Sequence, residues 1–455
     1  MRLHSVNPAT GEALADYPQD SDHCLDQKLT VVAAAARRWR HTAFSDRAAH
    51  LRLIGQRLRS RTSELARLMA LEMGKPVTQG LAEIEKCAVT CDYFAEHAPA
   101  FLKVEPVPTE ARQSFVAFNP LGVVLAVMPW NFPFWQVIRC AAPALMAGNG
   151  VVLKHASNVT GCAIALGEIL RPDDSNPTPF DVLLASSNRL PQIIAHPAVN
   201  ALALTGSVEA GRSVAALAGA ALKKCVLELG GSDAYVVLDD ADIELAAQTC
   251  ARARLVNSGQ SCIAAKRFIV LPKVRREFEE RLVAHLARAN VGDPLDPSTE
   301  IGPLARADIR SELHQLVTHS VQSGARCVLG GQVPEGPGCF YPATALTEVQ
   351  ALHSVFQEET FGPVAALCPA ETEEHALQLA NASRFGLGGA IFSRDVEHAT
   401  ALARDCVDAG ACFVNTFVRS DARMPFGGIK ESGYGRELGI AGIREFVNIK
   451  SVLVA

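Results

Sequence analysis

Three residues of this chain have side chains suited to covalent chemistry on a carbonyl. Cys262 ends the stretch Asn257-Ser258-Gly259-Gln260-Ser261-Cys262. Its thiolate could add to an electrophilic carbon, and Gly259 permits a sharp backbone turn beside it. Glu228 lies 34 residues earlier, in Leu227-Glu228-Leu229-Gly230-Gly231. Its apolar neighbours predict a desolvated carboxyl whose pKa is raised toward the range of a general base. Asn131, in Pro129-Trp130-Asn131-Phe132-Pro133, carries amide hydrogens that could hold an oxygen turning negative once the thiolate adds. Singly, these read as a buried filler, a salt-bridged strand end and a turn-former. Together they supply nucleophile, base and oxyanion donor.

The elements that must position this trio follow from hydrophobic patterning. Residues 26–100 read as helices, with Leu51, Ile54, Leu58, Leu65 and Leu68 at helical spacing. Residues 103–118 become extended and Pro-bearing, as in an exposed strand arm. Then short apolar runs alternate with helical segments. The strands are 123–128, 151–153, 181–184 and 201–204, with helices at 159–170 and about 208–220. That order predicts an α/β fold with a parallel sheet, and ligands bind beyond the carboxyl ends of such strands. Asn131, Lys154, Ser207 and Glu228 all fall just after such runs. A second α/β series starts after Gly231, with a strand at 235–238, a helix near 242–257 and a strand at 268–271. The segments 291–303 and 330–339 read as loops, and 447–454 as a final strand.

Bulk properties narrow the classes. At 455 residues the chain can bury a large core in two or three domains. Its 49% hydrophobic and 20% charged residues fit a soluble globular protein, and a net charge of −5 gives no broad reason to bind nucleic acid. No apolar run spans a bilayer, and no secretory signal opens the chain. Thirteen cysteines without a Cys-x-x-Cys pair argue against a structural zinc site or disulfide scaffold. No metal is expected. Reduced thiols in the cytoplasm fit this usage.

A hydride acceptor has one candidate site. Gly206-Ser207 stands where a strand becomes a helix, and free N–H groups at a helix start suit a pyrophosphate. Neither Gly-x-Gly-x-x-Gly after a strand nor a P-loop is present. Gly433-Tyr434-Gly435-Arg436-Glu437-Leu438-Gly439 imitates the former without a preceding strand.

With these residues assembled, the chain resembles the NAD(P)-dependent aldehyde dehydrogenases, from Asn7-Pro8 to about Arg436-Glu437. Six motifs carry the resemblance: Pro-Trp-Asn-Phe-Pro at 129–133, Thr-Gly-Ser at 205–207, Glu-Leu-Gly-Gly at 228–231, Gly-Gln-Ser-Cys at 259–262, Glu-Glu-Thr-Phe-Gly-Pro at 358–363 and Pro-Phe-Gly-Gly-Ile-Lys-Glu-Ser-Gly at 425–433. The resemblance implies a Cys262 thiohemiacetal, an oxyanion held by Asn131 and the Cys262 N–H, hydride loss to nicotinamide, and thioester hydrolysis with Glu228 activating water. It also implies cofactor contacts at Lys154 and Glu359 (the two riboses), Phe361 (the nicotinamide), and Trp130, Gly206 and Ser207 (the pyrophosphate side).

Many NAD-preferring members of that family place a Glu three residues after the lysine, and here Ser157 stands there. A hydroxyl does not repel a 2′-phosphate, so NADP is expected to be accepted alongside NAD. His155 replaces a usual proline of that motif.

The subgroup resembled most is succinate-semialdehyde dehydrogenase. It implies a carboxylate-binding Arg139, a substrate-side Ser420 and a bulky tunnel wall at Trp135. A second arginine of that subgroup is replaced by Val256, and Arg419 or Arg423 could substitute for it. Ala264 stands where some members carry a redox-regulatory cysteine.

The family fold implies a Rossmann-like cofactor domain (1–102 and 119–229), a catalytic α/β domain (230–436) and an oligomerisation arm (103–118 and 437–455). An unpaired strand arm is a liability, so a homodimer or homotetramer is expected. Two other readings are weighed: oxidation of glutarate semialdehyde or neutral aliphatic aldehydes, and a non-catalytic binding protein on the same scaffold. The second would have lost Cys262, Glu228 or Asn131, and all three are present.

Overall fold

The computed structural model describes residues 2–171 and 179–455, which form two parallel-sheet layers and a small antiparallel arm. The first sheet has six strands in the order Gly433–Tyr434, Lys224–Glu228, Val199–Thr205, Val123–Met128, Gly150–His155 and Phe180–Val182. All pairs are parallel except the first. The strands Val123–Met128 and Gly150–His155 are buried on both faces, which is why they read as unbroken apolar runs. On one face lie the helices Phe44–Ser60, Thr62–Met73, Val77–Phe101, Trp135–Met146 and Thr160–Leu170, which share one core with the sheet.

The second sheet has seven strands, in the order Arg326–Leu329, Thr344–Thr347, Val364–Pro369, Ala265–Val270, Asp233–Val237, Gly388–Phe392 and Ala411–Val414. Helix starts carry the expected caps: Ser207 Oγ accepts from the Ala210 N–H, and Asp242 from that of Leu245.

The helix expected at 242–257 runs Ile243–Leu255, because Asn257 and Ser258 adopt left-handed backbone angles (φ 54° and 56°). The strand expected at 181–184 is Phe180–Val182. The tail strand Val447–Val454 pairs along its whole length with Gln113–Pro120, and Glu105–Pro106 flanks the latter. Residues 437–455 are not all strand. Gly439–Glu445 is a short helix, tied to the end of Val77–Phe101 by a 3.0 Å bond from Arg444 Nε to the Phe101 carbonyl.

Candidate active site

Cys262 sits where four separated motifs close on one another. A Cβ on Gly231 would lie 2.6 Å from the Cys262 carbonyl oxygen, and one on Gly259 would lie 2.3 Å from the Gly362 backbone. Glycine at these two positions lets the Glu-Leu-Gly-Gly, Gly-Gln-Ser-Cys and Glu-Glu-Thr-Phe-Gly-Pro segments touch. The Pro425–Gly433 segment returns as a fourth, and Ser432 Oγ donates to the Gly230 carbonyl at 2.7 Å.

Asn131 is buried, and its Nδ2 donates to the Gln260 carbonyl at 3.2 Å, two residues from Cys262. Asn257 Nδ2 braces both segments, donating to the carbonyls of Asn131 (2.8 Å) and Gln260 (3.0 Å). The left-handed Asn257 backbone is therefore part of how the Cys262 loop meets the Asn131 segment.

Glu228 ends its strand, with its backbone carbonyl accepting from the Gly206 N–H at 3.0 Å. Both carboxylate oxygens are buried without a hydrogen-bond partner. Burial holds this carboxyl well above the usual range, partly opposed by Arg139. Cys262 lies in the same electrostatic neighbourhood. Burial pushes its thiol up to about 12, against the pull of Arg139 and Lys266, so the resting sulfur is protonated at neutral pH.

Sequence reasoning missed the cations that shape this loop. Lys266 Nζ bonds the carbonyls of Ser261 (3.1 Å), Cys262 (2.8 Å) and Ala264 (3.1 Å), and lies 3.8 Å from Glu359. Arg254 Nη2 bonds the Gly259 carbonyl at 2.7 Å. Glu83, ion-paired with Lys75, accepts the N–H groups of Phe134 and Trp135 and so anchors the start of Trp135–Met146. Only the buried partners reveal these roles, since an isolated Lys or Glu has no motif.

A cavity of about 760 Å³ opens on Cys262 and is walled by Phe132, Trp135, Arg139, Val256, Ser420 and Phe426, among others. Trp135 and Ser420 both line it. Arg139 lines the cavity too, but not as a free cation. It is ion-paired with Glu437, donates from Nη2 to Thr205 Oγ1 at 3.2 Å and stacks over the Phe426 ring at 4.8 Å. Its guanidinium therefore meets the cavity with part of its donor set already engaged.

Arg423 stands apart from these residues. It is absent from the cavity wall, held on Asp421 by bonds of 2.8 and 2.6 Å within one tight loop. Arg419 and Val256 line the cavity. Lys86, which was not anticipated, lines it as well.

The cofactor candidates gather around a second groove, of about 490 Å³. Ser207, Glu359 and Phe361 line it, at the start of the helix Val208–Ala220. Phe361 packs edge-on to Trp130, ring centroids 5.6 Å apart. Glu359 Oε1 accepts the Gly231 N–H at 3.0 Å. Gly206 is the hinge between the strand and that helix.

Lys154 and Ser157 lie farther along the sheet. Lys154 Nζ reaches the Ser187 hydroxyl at 3.4 Å, and burial lowers its pKa to about 8. No carboxylate pairs with it among the described residues. Ser157 opens the short turn that follows. His155 settles the replaced proline: Nδ1 accepts the Ala156 N–H and Nε2 contacts the Pro133 carbonyl, both at 2.9 Å. The helix start, the aromatic pair and the free ammonium fit a dinucleotide phosphate and nicotinamide.

A thiol and a desolvated carboxyl beside a dinucleotide groove define a cofactor-dependent enzyme acting on carbonyls. The chain belongs to the aldehyde dehydrogenase family, whose sequence profile matches residues 1–452.

It is 47% identical to Escherichia coli succinate semialdehyde dehydrogenase [NAD(P)+] Sad, across 98% of this chain and 97% of that protein. It is 46% identical, over the full length of both, to a probable NADP(+) succinate-semialdehyde dehydrogenase of Synechocystis sp.. Among solved structures, succinic semialdehyde dehydrogenase from Streptococcus pyogenes with NADP+ superposes with a TM-score of 0.96, at 36% identity and 99% coverage of each chain. No helix among the described residues is long and apolar enough to cross a membrane.

Proposed function

We propose that this protein oxidises succinate semialdehyde to succinate, with NADP or NAD as hydride acceptor. The observation that carries the reading is the cavity that joins Cys262 to a wall of cationic and hydroxyl side chains, Lys86, Arg419 and Ser420. The names of the relatives favour it over glutarate semialdehyde or neutral aldehydes, and the intact trio favours an enzyme over a binding protein.

The Cys262 sulfur, once deprotonated, adds to the aldehyde carbon. The oxygen of the resulting thiohemiacetal takes up negative charge, which Asn131 Nδ2 and the Cys262 N–H are placed to hold. A nicotinamide cofactor held by Ser207, Glu359 and Phe361 would supply the acceptor for the hydride on this carbon. Cys262 is then a thioester. Glu228 takes a proton from water as the water oxygen attacks the thioester carbon, and the acid departs as the sulfur is released. Lys154 and Ser157 would receive a ribose 2′-hydroxyl or 2′-phosphate, and neither side chain repels the phosphate.

Residues 1–102 with 119–229 act as the cofactor domain, 230–436 as the catalytic domain, and 103–118 with 437–455 as the oligomerisation arm. The strand Val447–Val454 has an unpaired edge and exposes Ile449 (62%) and Leu453 (63%), which supports pairing with a second copy as a homodimer or homotetramer. Light scattering at micromolar concentration tests the assembly, and a monomer would refute it. Initial rates with succinate semialdehyde, glutarate semialdehyde and butanal, each with both cofactors, test the activity. A parent enzyme that prefers butanal would overturn the substrate assignment.

A further inference from the structure

We propose that Lys86, with Ser420, is the anchor that receives the substrate's carboxylate. The proposal rests on the succinate semialdehyde reading and names the residue that sets its specificity. Lys86 projects from the helix Val77–Phe101 into the cavity that reaches Cys262. Its ammonium donates to Ser420 Oγ at 2.7 Å and lies 4.0 Å over the Trp135 ring. Among the described residues no carboxylate lies within ion-pair distance of it.

This geometry asks for an anion. An ammonium has donors only, so Ser420 must accept from it, which leaves the Ser420 hydroxyl proton free for another acceptor. A carboxylate at this point takes one bond from Nζ and one from Oγ. Burial and the nearby Arg139 lower the Lys86 pKa to about 8, as expected of a cation without a counter-ion. The other charged groups facing it, Glu83 and Asp421, are engaged by Lys75 and Arg423. Arg139, one helix away, lines the same cavity with its guanidinium already engaged by Glu437, Thr205 Oγ1 and the Phe426 ring.

The test compares succinate semialdehyde with butanal, using purified full-length enzyme and NADP+. In Lys86→Met the kcat/KM ratio of semialdehyde to butanal should fall about 10- to 100-fold, mostly through KM, the loss expected of one charge-assisted contact. Lys86→Arg should recover most of it, and Ser420→Ala should lower the ratio less. An unchanged ratio in Lys86→Met, or equal losses on both aldehydes, would overturn the proposal. If Lys86→Met is insoluble, Lys86→Gln, which removes the charge but keeps a polar end, is read the same way. A parent enzyme that does not favour the semialdehyde at all would instead sink the substrate reading, and the anchor with it.

Discussion

Lys266 Nζ lies 2.8 Å from the carbonyl oxygen of Cys262. It also holds the carbonyls of Ser261 and Ala264. Lys266→Met removes all three bonds; the Ser261 carbonyl keeps the Ala264 N–H, and each carbonyl left unpaired costs about 1–3 kcal/mol. We expect a melting temperature several degrees lower and a kcat reduced about 100-fold, as a misplaced nucleophile would give. Thermal melts and initial rates check this, and parent-like kcat would show the loop holds its shape unaided.

Glu228→Gln separates the two halves of the reaction. Oxidation of the thiohemiacetal does not need this carboxyl, whereas hydrolysis of the thioester does. Stopped-flow absorbance should show a burst of about one reduced nicotinamide per active site, followed by turnover slowed about 100-fold or more. Intact mass should show the acyl group on Cys262. Equal loss of burst and turnover would place Glu228 in the first half instead.

Cofactor choice should follow Ser157. Ser157→Glu puts a carboxylate where a 2′-phosphate would sit near Lys154. The KM for NADP should rise about tenfold or more, while NAD is spared. Paired kinetics with the two cofactors measure this, and a parallel rise for both would mean that the turn has been distorted.

The pH behaviour of Cys262 has a definite sign. Its thiol is held at about 12, so only a small thiolate fraction exists at neutral pH. Alkylation of the resting enzyme by iodoacetamide should therefore accelerate about tenfold per pH unit between roughly pH 7 and 9. Peptide mass mapping assigns the site. A rate that levels off near pH 8 would mean a far more acidic sulfur than burial produces.

The cavity mouth carries Arg252, Arg288 and Arg419, all exposed. Their field should draw in an anionic aldehyde. Raising the ionic strength from about 0.01 to about 0.5 M shrinks the screening length from ~30 Å to a few ångströms. The kcat/KM for succinate semialdehyde should fall severalfold across that range, with butanal unaffected. A flat response for both aldehydes would rule out steering.

Much of this was legible in the chain. Apolar runs such as Val123–Met128 announced buried parallel strands. Cys262, Glu228 and Asn131 pointed to carbonyl chemistry only when read together, while Ser207 read as a helix start and caps one. Local rules suffice there, because strand burial, helix capping and glycine turns are set by near neighbours.

The cations were another matter. Arg139 looked like a free guanidinium until the fold brought Glu437 to it from almost 300 residues away. Lys86 and Lys266 looked like ordinary lysines until Ser420 and three loop carbonyls closed around them. The sequence by itself determined the reaction class and the sheet that carries it. Which buried charges are spent and which remain available was decided only by tertiary structure, since a charge is neutralised by whatever lies within a few ångströms in space, not along the chain.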